Sequence, residues 1–262
     1  MNAGNLTDSG DERYGSFRII RLKETGSTNE WAGSALASGL IPPDTLYAVT
    51  ADYQTAGRGN GNTKWISDPG QNLLLSLIIP GNDFPASGQF FLNMAVSVSL
   101  METVSHYVSS PGVSIKWPND IYIGDRKVAG ILIRHTVTGS VIGNTIAGVG
   151  LNLNQTRFVK SLPNPVSILQ ITGKTVNRDE CLHFLLDRFE KHLESLCRGE
   201  VSELKEVFHR SLFRLNEWHS YKYRGGLIRA RIQGVSSYGF LMLETEERKM
   251  IECDLKEIEF IL

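Results

Sequence analysis

Apolar residues recur along this chain with two different periods, and the switches between them mark its elements. Phe17 to Leu22 and Leu46 to Asp52 are short apolar segments that read as strands, and Asn72 to Ile79 reads as a buried strand. The run from Ser27 to about Ser38 predicts a helix, stopped by Gly39 and the Pro42-Pro43 pair. Gln89 to Val108 places Phe90, Phe91, Met94, Ala95, Val98, Met101 and Val108 at helical spacing, which predicts a helix on one side of a sheet with one wet face.

Three strand-like pieces follow, Ser114 to Ile123, Arg126 to Arg134 and Val141 to Leu153, separated by Gly124-Asp125 and Thr138-Gly139-Ser140. Such turn residues favour hairpins, so antiparallel pairing is expected. Pro118 has no N–H to give a central ladder. The Trp117-Pro118-Asn119-Asp120 segment must therefore bend or sit at an edge, where its polar side chains can turn into a cleft. Asn177 and Glu180 suit the start of a helix reaching about Cys197, with Leu182, Leu185, Leu186, Phe189, Leu193 and Leu196 inward. Ser202 is placed to cap another, ending near Leu215. From Trp218 the pattern changes to short strands at Tyr221–Tyr223, Leu227–Val235, Phe240–Leu243 and Lys249–Cys253, which reads as a small barrel. The expected class is α+β: a mixed, largely antiparallel sheet with helices on one side, then the barrel. Residues 1–16 are expected to form a frayed tail, 17–215 a catalytic domain and 216–262 the barrel.

Composition narrows the function. The chain has 262 residues, 41% of them hydrophobic, which suffices for a sizeable core. A formal net charge of −1 disfavours a constitutive nucleic-acid binder. Cys181, Cys197 and Cys253 are far apart, and neither Cys-x-x-Cys nor His-Glu-x-x-His occurs, so no metal site or disulfide framework is indicated. No apolar run is long enough to span a membrane, and the first residues lack the features of a signal peptide. A reducing cytoplasm is the expected compartment.

The stretch richest in chemistry runs from Tyr53 to Trp65, where Gly57, Gly59 and Gly61 alternate with Arg58, Asn60 and Asn62. Glycine loses the most backbone entropy on ordering, so the segment has little structure of its own. Its backbone N–H groups and cations suit a mobile clamp for phosphate, ordered when the ligand arrives. Asn62 stands where a Walker loop or a dinucleotide fingerprint would need glycine, which excludes both. Ser27 and Glu30 fit a capping box, and the same helix start suits an anionic group.

Four pieces stand in order: Ser27-Thr-Asn; Gln54-Thr-Ala-Gly-Arg-Gly; Lys116-Trp-Pro-Asn-Asp followed by Arg126-Lys-Val-Ala-Gly-Ile-Leu; and Gly148-Val-Gly-Leu-Asn-Leu-Asn. Together they closely resemble the biotin protein ligase family. The resemblance covers roughly residues 20–155 in its motifs, and the terminal barrel resembles the family's SH3-like domain. It implies a class II synthetase-like catalytic domain that forms biotinyl-5′-adenylate from biotin and ATP, then biotinylates a lysine of a biotin carboxyl carrier protein.

The matching positions imply biotin contacts at Ser27, Thr28, Asn29, Gln54, Arg58, Gly59, Asn60, Lys127 and Gly130. They imply nucleotide contacts at Arg58, Trp65, Lys116, Asn119, Asp120, Lys127 and Asn152, with Lys127 and Arg58 catalytic. An exposed hairpin lysine, a strand-surface lysine and a core tryptophan are the plain alternatives for Lys127, Lys116 and Trp65. Asn152 has a plain alternative too, as a strand-end residue capping its own backbone. Asn60 replaces a second arginine found in many members, which implies weaker retention of the adenylate. Mg²⁺ is expected to accompany ATP, held largely by phosphate and water. Only about two dozen residues precede Ser27, too few for a helix-turn-helix domain; the resemblance is therefore to the monofunctional type, with no DNA role and no membrane. Exposed sheet edges suit a homodimer or a docked carrier. A lipoate ligase or acyltransferase of the same fold, or a non-catalytic biotin or adenylate sensor, remains the alternative.

Overall fold

The computed structural model describes residues 12–61, 63–81, 84–109, 112–160 and 162–261. An eight-stranded sheet is built from β1 (Arg13–Tyr14), β2 (Phe17–Thr25), β3 (Tyr47–Gln54), β4 (Leu73–Pro80), β5 (Val113–Lys116), β6 (Asp120–Ile123), β7 (Arg126–Thr138) and β8 (Val141–Leu151). Its order is β1-β2-β3-β4-β8-β7-β6-β5. Pairing is antiparallel except between β2 and β3. Parallel neighbours need a crossover, and α1 (Thr28–Ala37) supplies it.

That crossover corrects the expectation of helices on one side. On one face Ala32 and Ala35 of α1 pack with Val49, Ala51 and Ile78. On the other face Ala48, Leu73, Leu75, Leu77 and Ile79 join the main core with α2 (Gln89–Tyr107) and α4 (Arg178–Cys197). The alternation of Leu77 and Ile78 between these clusters follows directly from the two-residue period of a strand. Nor does α2 keep a wet face. Its Ser97, Ser99 and Thr103 are buried beneath α4 and α5 (Ser202–Arg210). The Ser99 and Thr103 hydroxyls donate to Ala95 O at 2.6 Å and Ser99 O at 2.7 Å, so burying them leaves no donor unpaired.

Local capping decides other boundaries. Asn177 caps α4 as expected, accepting from Asp179 N and Glu180 N. The Ser27 side chain makes no cap hydrogen bond, and the expected capping box with Glu30 is not formed. Helix α5 ends at Arg210 rather than Leu215, and Val201, not Ser202, occupies its cap position. The chain then runs beside β5, where Ile115 N donates to Ser211 O and Phe213 N to Ile115 O. That covers the outer edge of β5. The segment expected to bend at Pro118 does so: β5 and β6 are joined by a turn with a cis Trp117–Pro118 bond, and Lys116 lies opposite Asp120. A short helix, α3 (Ile168–Thr172), follows β8 and carries a complete Ser167–Gln170 capping box. Arg13 and Tyr14 pair with β2 instead of fraying, while residues 1–11 of the expected tail lie outside the described residues.

The second sheet contains β9 (Trp218–Tyr223), β10 (Gly226–Val235), β11 (Leu241–Thr245), β12 (Met250–Cys253) and β13 (Ile258–Phe260), ordered β12-β11-β10-β9-β13 and antiparallel throughout. Its Tyr221, Ile232, Leu241 and Leu243 belong to the same core cluster as Phe90 and Phe208. Trp117 Nε1 reaches across to donate to Gly239 O at 2.9 Å. Among the described residues, no helix is long and apolar enough to cross a membrane.

Candidate active site

The start of α1, the end of β3, the Lys116–Asp120 turn and the β7–β8 pair open onto one cavity of about 740 Å³, within the size range of small-molecule sites. Every residue singled out from the sequence for ligand contact lines it, including Ser27, Gln54, Arg58, Lys116 and Lys127. Motifs as far apart in sequence as Ser27 and Asn152 meet because β3, β4, β8 and β7 are adjacent strands.

One end of the cavity is polar and neutral. Thr28 N donates to Gln54 Oε1 at 2.7 Å, and the Thr28 hydroxyl lies 3.1 Å from the same oxygen. The Gln54 oxygen is thereby turned toward α1, which leaves the Nε2 donors for the cavity. Asn29 Nδ2 donates to Leu132 O at 2.9 Å, but its buried Oδ1 has no partner. A buried acceptor left unmade costs roughly 1–3 kcal/mol, which makes it a natural contact for a ligand N–H.

The other end is cationic. Lys127 Nζ lies 2.6 Å from Asp120 Oδ1, and Arg58 is 2.8 Å from Glu30 Oε1. Glu30 is free to reach Arg58 because the capping box does not hold it. Lys116 Nζ sits 4.4 Å from the centroid of Phe260 and 5.4 Å from that of Tyr122. Burial holds the Lys116 amine below the ordinary lysine value; Asp120 opposes that shift, and Lys127 and Arg214 add to it.

The described residues of the glycine segment make backbone hydrogen bonds with one another. Gly59 N donates to Thr63 O at 2.9 Å and Trp65 N to Gly57 O at 3.0 Å, so it doubles back as a small hairpin. A Cβ at Gly57 would strike the Trp65 carbonyl, and one at Gly59 the Thr63 hydroxyl. The glycines therefore permit a close backbone pairing as well as close approach to a ligand. The hairpin lays Trp65 across Gly150 and beside Gly130, where a Cβ at Gly150 would overlap its ring. Trp65 Nε1 is buried without a partner.

Two expected nucleotide contacts also brace the scaffold. Asn119 Nδ2 donates to Ile131 O, and Asn152 Nδ2 to Val166 O at 3.1 Å. Asn152 thus bonds the backbone of Val166 and not, as the plain alternative had it, its own.

Three contributions escaped the sequence reading. Phe158, Pro163 and Pro165 wall the cavity after β8, pinned there by Lys127 N to Asn164 O and Val166 N to Lys127 O. Ile258, Glu259 and Phe260 of β13 bring the second sheet to the rim. Neither set carries a motif; both arrive through tertiary pairing. Ser76 was missed although it left a signal, a single hydroxyl within Leu73-Leu-Leu-Ser-Leu-Ile-Ile. It is fully buried, and its Oγ lies 2.8 Å from Thr28 Oγ1.

Fold and cavity together define a class II synthetase-like catalytic domain with an SH3-like sheet packed against it. Residues 27–152 match the model of the biotin/lipoate A/B protein ligase family. The chain is 27% identical over 237 residues to the bifunctional ligase/repressor BirA of Bacillus spizizenii, covering 88% of this chain and 71% of that protein. It is 28% identical over 174 residues to the biotin–[acetyl-CoA-carboxylase] ligase of Mycobacterium tuberculosis, covering 66% and 62%. Its structure is similar to that of the biotin protein ligase from Aquifex aeolicus in complex with biotin and ATP, with a TM-score of 0.75, 27% identity and coverage of 92% and 97%.

Proposed function

We propose that this protein is an ATP-dependent biotin protein ligase that modifies a lysine of a biotin carboxyl carrier domain. The observation that carries the reading is the shared cavity: a neutral polar end at Ser27, Thr28, Asn29 and Gln54, and a cationic end at Arg58, Lys116 and Lys127. A cyclic urea with an apolar tail and a carboxylate needs such an ordering of chemistry. The similarity to an Aquifex aeolicus ligase in complex with biotin and ATP supports it.

In the first step a biotin carboxylate oxygen attacks the α-phosphorus of ATP, the bond to pyrophosphate breaks, and biotinyl-5′-adenylate forms. Two anions must approach, so positive charge and positioning dominate catalysis. Lys127, on β7 in the cationic group, neutralises both carboxylate and phosphate. Arg58 exchanges Glu30 for the phosphate side of the adenylate. Lys116 serves the nucleotide, and Trp65 walls its base. Among the described residues no group of three or more His, Cys, Asp or Glu could hold a metal ion. Magnesium enters as part of the Mg–ATP substrate, ligated by phosphate oxygens and water. In the second step the neutral carrier lysine amine attacks the acyl carbon, the bond to AMP breaks, and an amide forms with loss of a proton.

Biotin-dependent exchange of labelled pyrophosphate into ATP tests the reading. Exchange with biotin and none with lipoate is expected. Exchange with lipoate alone favours the related acyl ligases, and tight biotin binding without exchange favours a sensor.

A further inference from the structure

Resting on the biotin reading, we infer that Ser76 is a specificity-determining positioning residue, which fixes the Thr28 hydroxyl as a hydrogen-bond acceptor toward the ligand's ring nitrogen. The inference follows from the direction in which each hydrogen must point. Thr28 N can only donate, and it lies 2.7 Å from Gln54 Oε1, so that atom is an acceptor. The Thr28 hydroxyl, 3.1 Å from the same oxygen, must then give it its single hydrogen. Ser76 Oγ, 2.8 Å from Thr28 Oγ1, has no choice left but to donate.

The chain of polarity therefore runs Ser76 to Thr28 to Gln54. A hydroxyl has one donor and two acceptor positions. Thr28 has used its donor and one acceptor, and the acceptor that remains is what it offers a ligand. Thr28 lines the cavity, whereas Ser76 lies behind it and is not part of its wall. Ser76 is 0% exposed on the α1-facing side of β4, where every other residue from Leu73 to Ile79 is aliphatic. A hydroxyl placed there costs free energy unless bonded, and its recorded partner is Thr28.

Without Ser76 the Thr28 hydroxyl loses one of its two restraints; only the longer 3.1 Å bond to Gln54 then holds its hydrogen away from the cavity, and giving up that bond lets the site donate at that point as well as accept. The wild-type wall suits a urea ring N–H and opposes a ring oxygen; the unlocked wall tolerates both. The test compares biotin with its cyclic carbamate analogue, in which one ring N–H is replaced by oxygen, by calorimetric titration of wild type, Ser76→Ala and Ser76→Cys. Wild type is expected to prefer the urea. Ser76→Ala should narrow that preference by about five- to tenfold, the worth of one net hydrogen bond, with an unchanged KM for ATP. Ser76→Cys, a weaker donor, should fall between. Equal weakening of both ligands in Ser76→Ala, leaving the preference as it was, overturns the inference and marks Ser76 as structural. Failure of the wild type to bind biotin sinks the biotin reading itself, and the inference with it.

Discussion

The Arg58 guanidinium carries its own counter-ion, Glu30, 2.8 Å away at the mouth of the cavity. Both side chains are substantially exposed, at 55% and 39%. Such pairs contribute only about 0–1 kcal/mol, so an incoming phosphate displaces Glu30 at little cost. Removing the competitor should help retention of the adenylate, which the single-arginine loop is expected to hold less firmly. Glu30→Gln should therefore slow leakage of biotinyl-adenylate roughly two- to fivefold at low salt. The gain should vanish at high salt, as a filter-retention assay across salt concentrations will show. Lys116 sets a pH limit. An amine pairs with phosphate only while protonated, below its folded pKa, and burial lowers that of Lys116 from the ordinary 10.5. The alkaline fall in kcat/KM for ATP should begin below that ordinary value, and Lys116→Arg should move it upward. A fall at the same pH in both proteins excludes Lys116 as the titrating group.

Among the elements, the hairpin from Gly57 to Trp65 and the glycines of β7 and β8 act together. Trp65 has room only because Gly150 and Gly130 carry no side chains beneath it. Gly150→Ala should lift the ring and raise the KM for ATP about tenfold or more, while biotin affinity moves far less. Steady-state kinetics with each substrate varied, alongside tryptophan fluorescence, checks both halves. The hydrophobic pattern was sufficient for these elements: strands, hairpin turns and the α4 cap at Asn177 lie close to their expected places. The pattern misled where one local signal had two outlets. Ser27-x-x-Glu30 has the wording of a capping box, but Arg58, distant in sequence, takes the carboxylate. The run from Ser202 to Leu215 ends early because residues 211–213 gain backbone partners on β5. Helical periodicity carries no information about such long-range competition.

At the scale of the molecule, the motif residues were legible because their chemistry is stated by side chain and order, and all of them reach one cavity. The walls from Phe158 to Pro165 and from β13 were not, since apolar packing partners are interchangeable in sequence. The β13 contribution has a thermodynamic corollary. Both sheets share one core cluster, and Trp117 bonds to Gly239. Thermal unfolding should accordingly be a single cooperative transition, with calorimetric and van't Hoff enthalpies in agreement. Two separated transitions would mean that the second sheet folds as an independent unit.

Intact-mass spectrometry of a biotin carboxyl carrier domain, incubated with this protein, ATP and biotin, bears most directly on the proposal that the cavity joins a carboxylate to a nucleotide and then to lysine. With the wild type the carrier should gain one biotinyl group, and with Lys127→Ala its formation should slow by about a hundredfold or more. A carrier left unmodified by the wild type, or modified at the normal rate by Lys127→Ala, would contradict the roles given to the cavity and to its lysine.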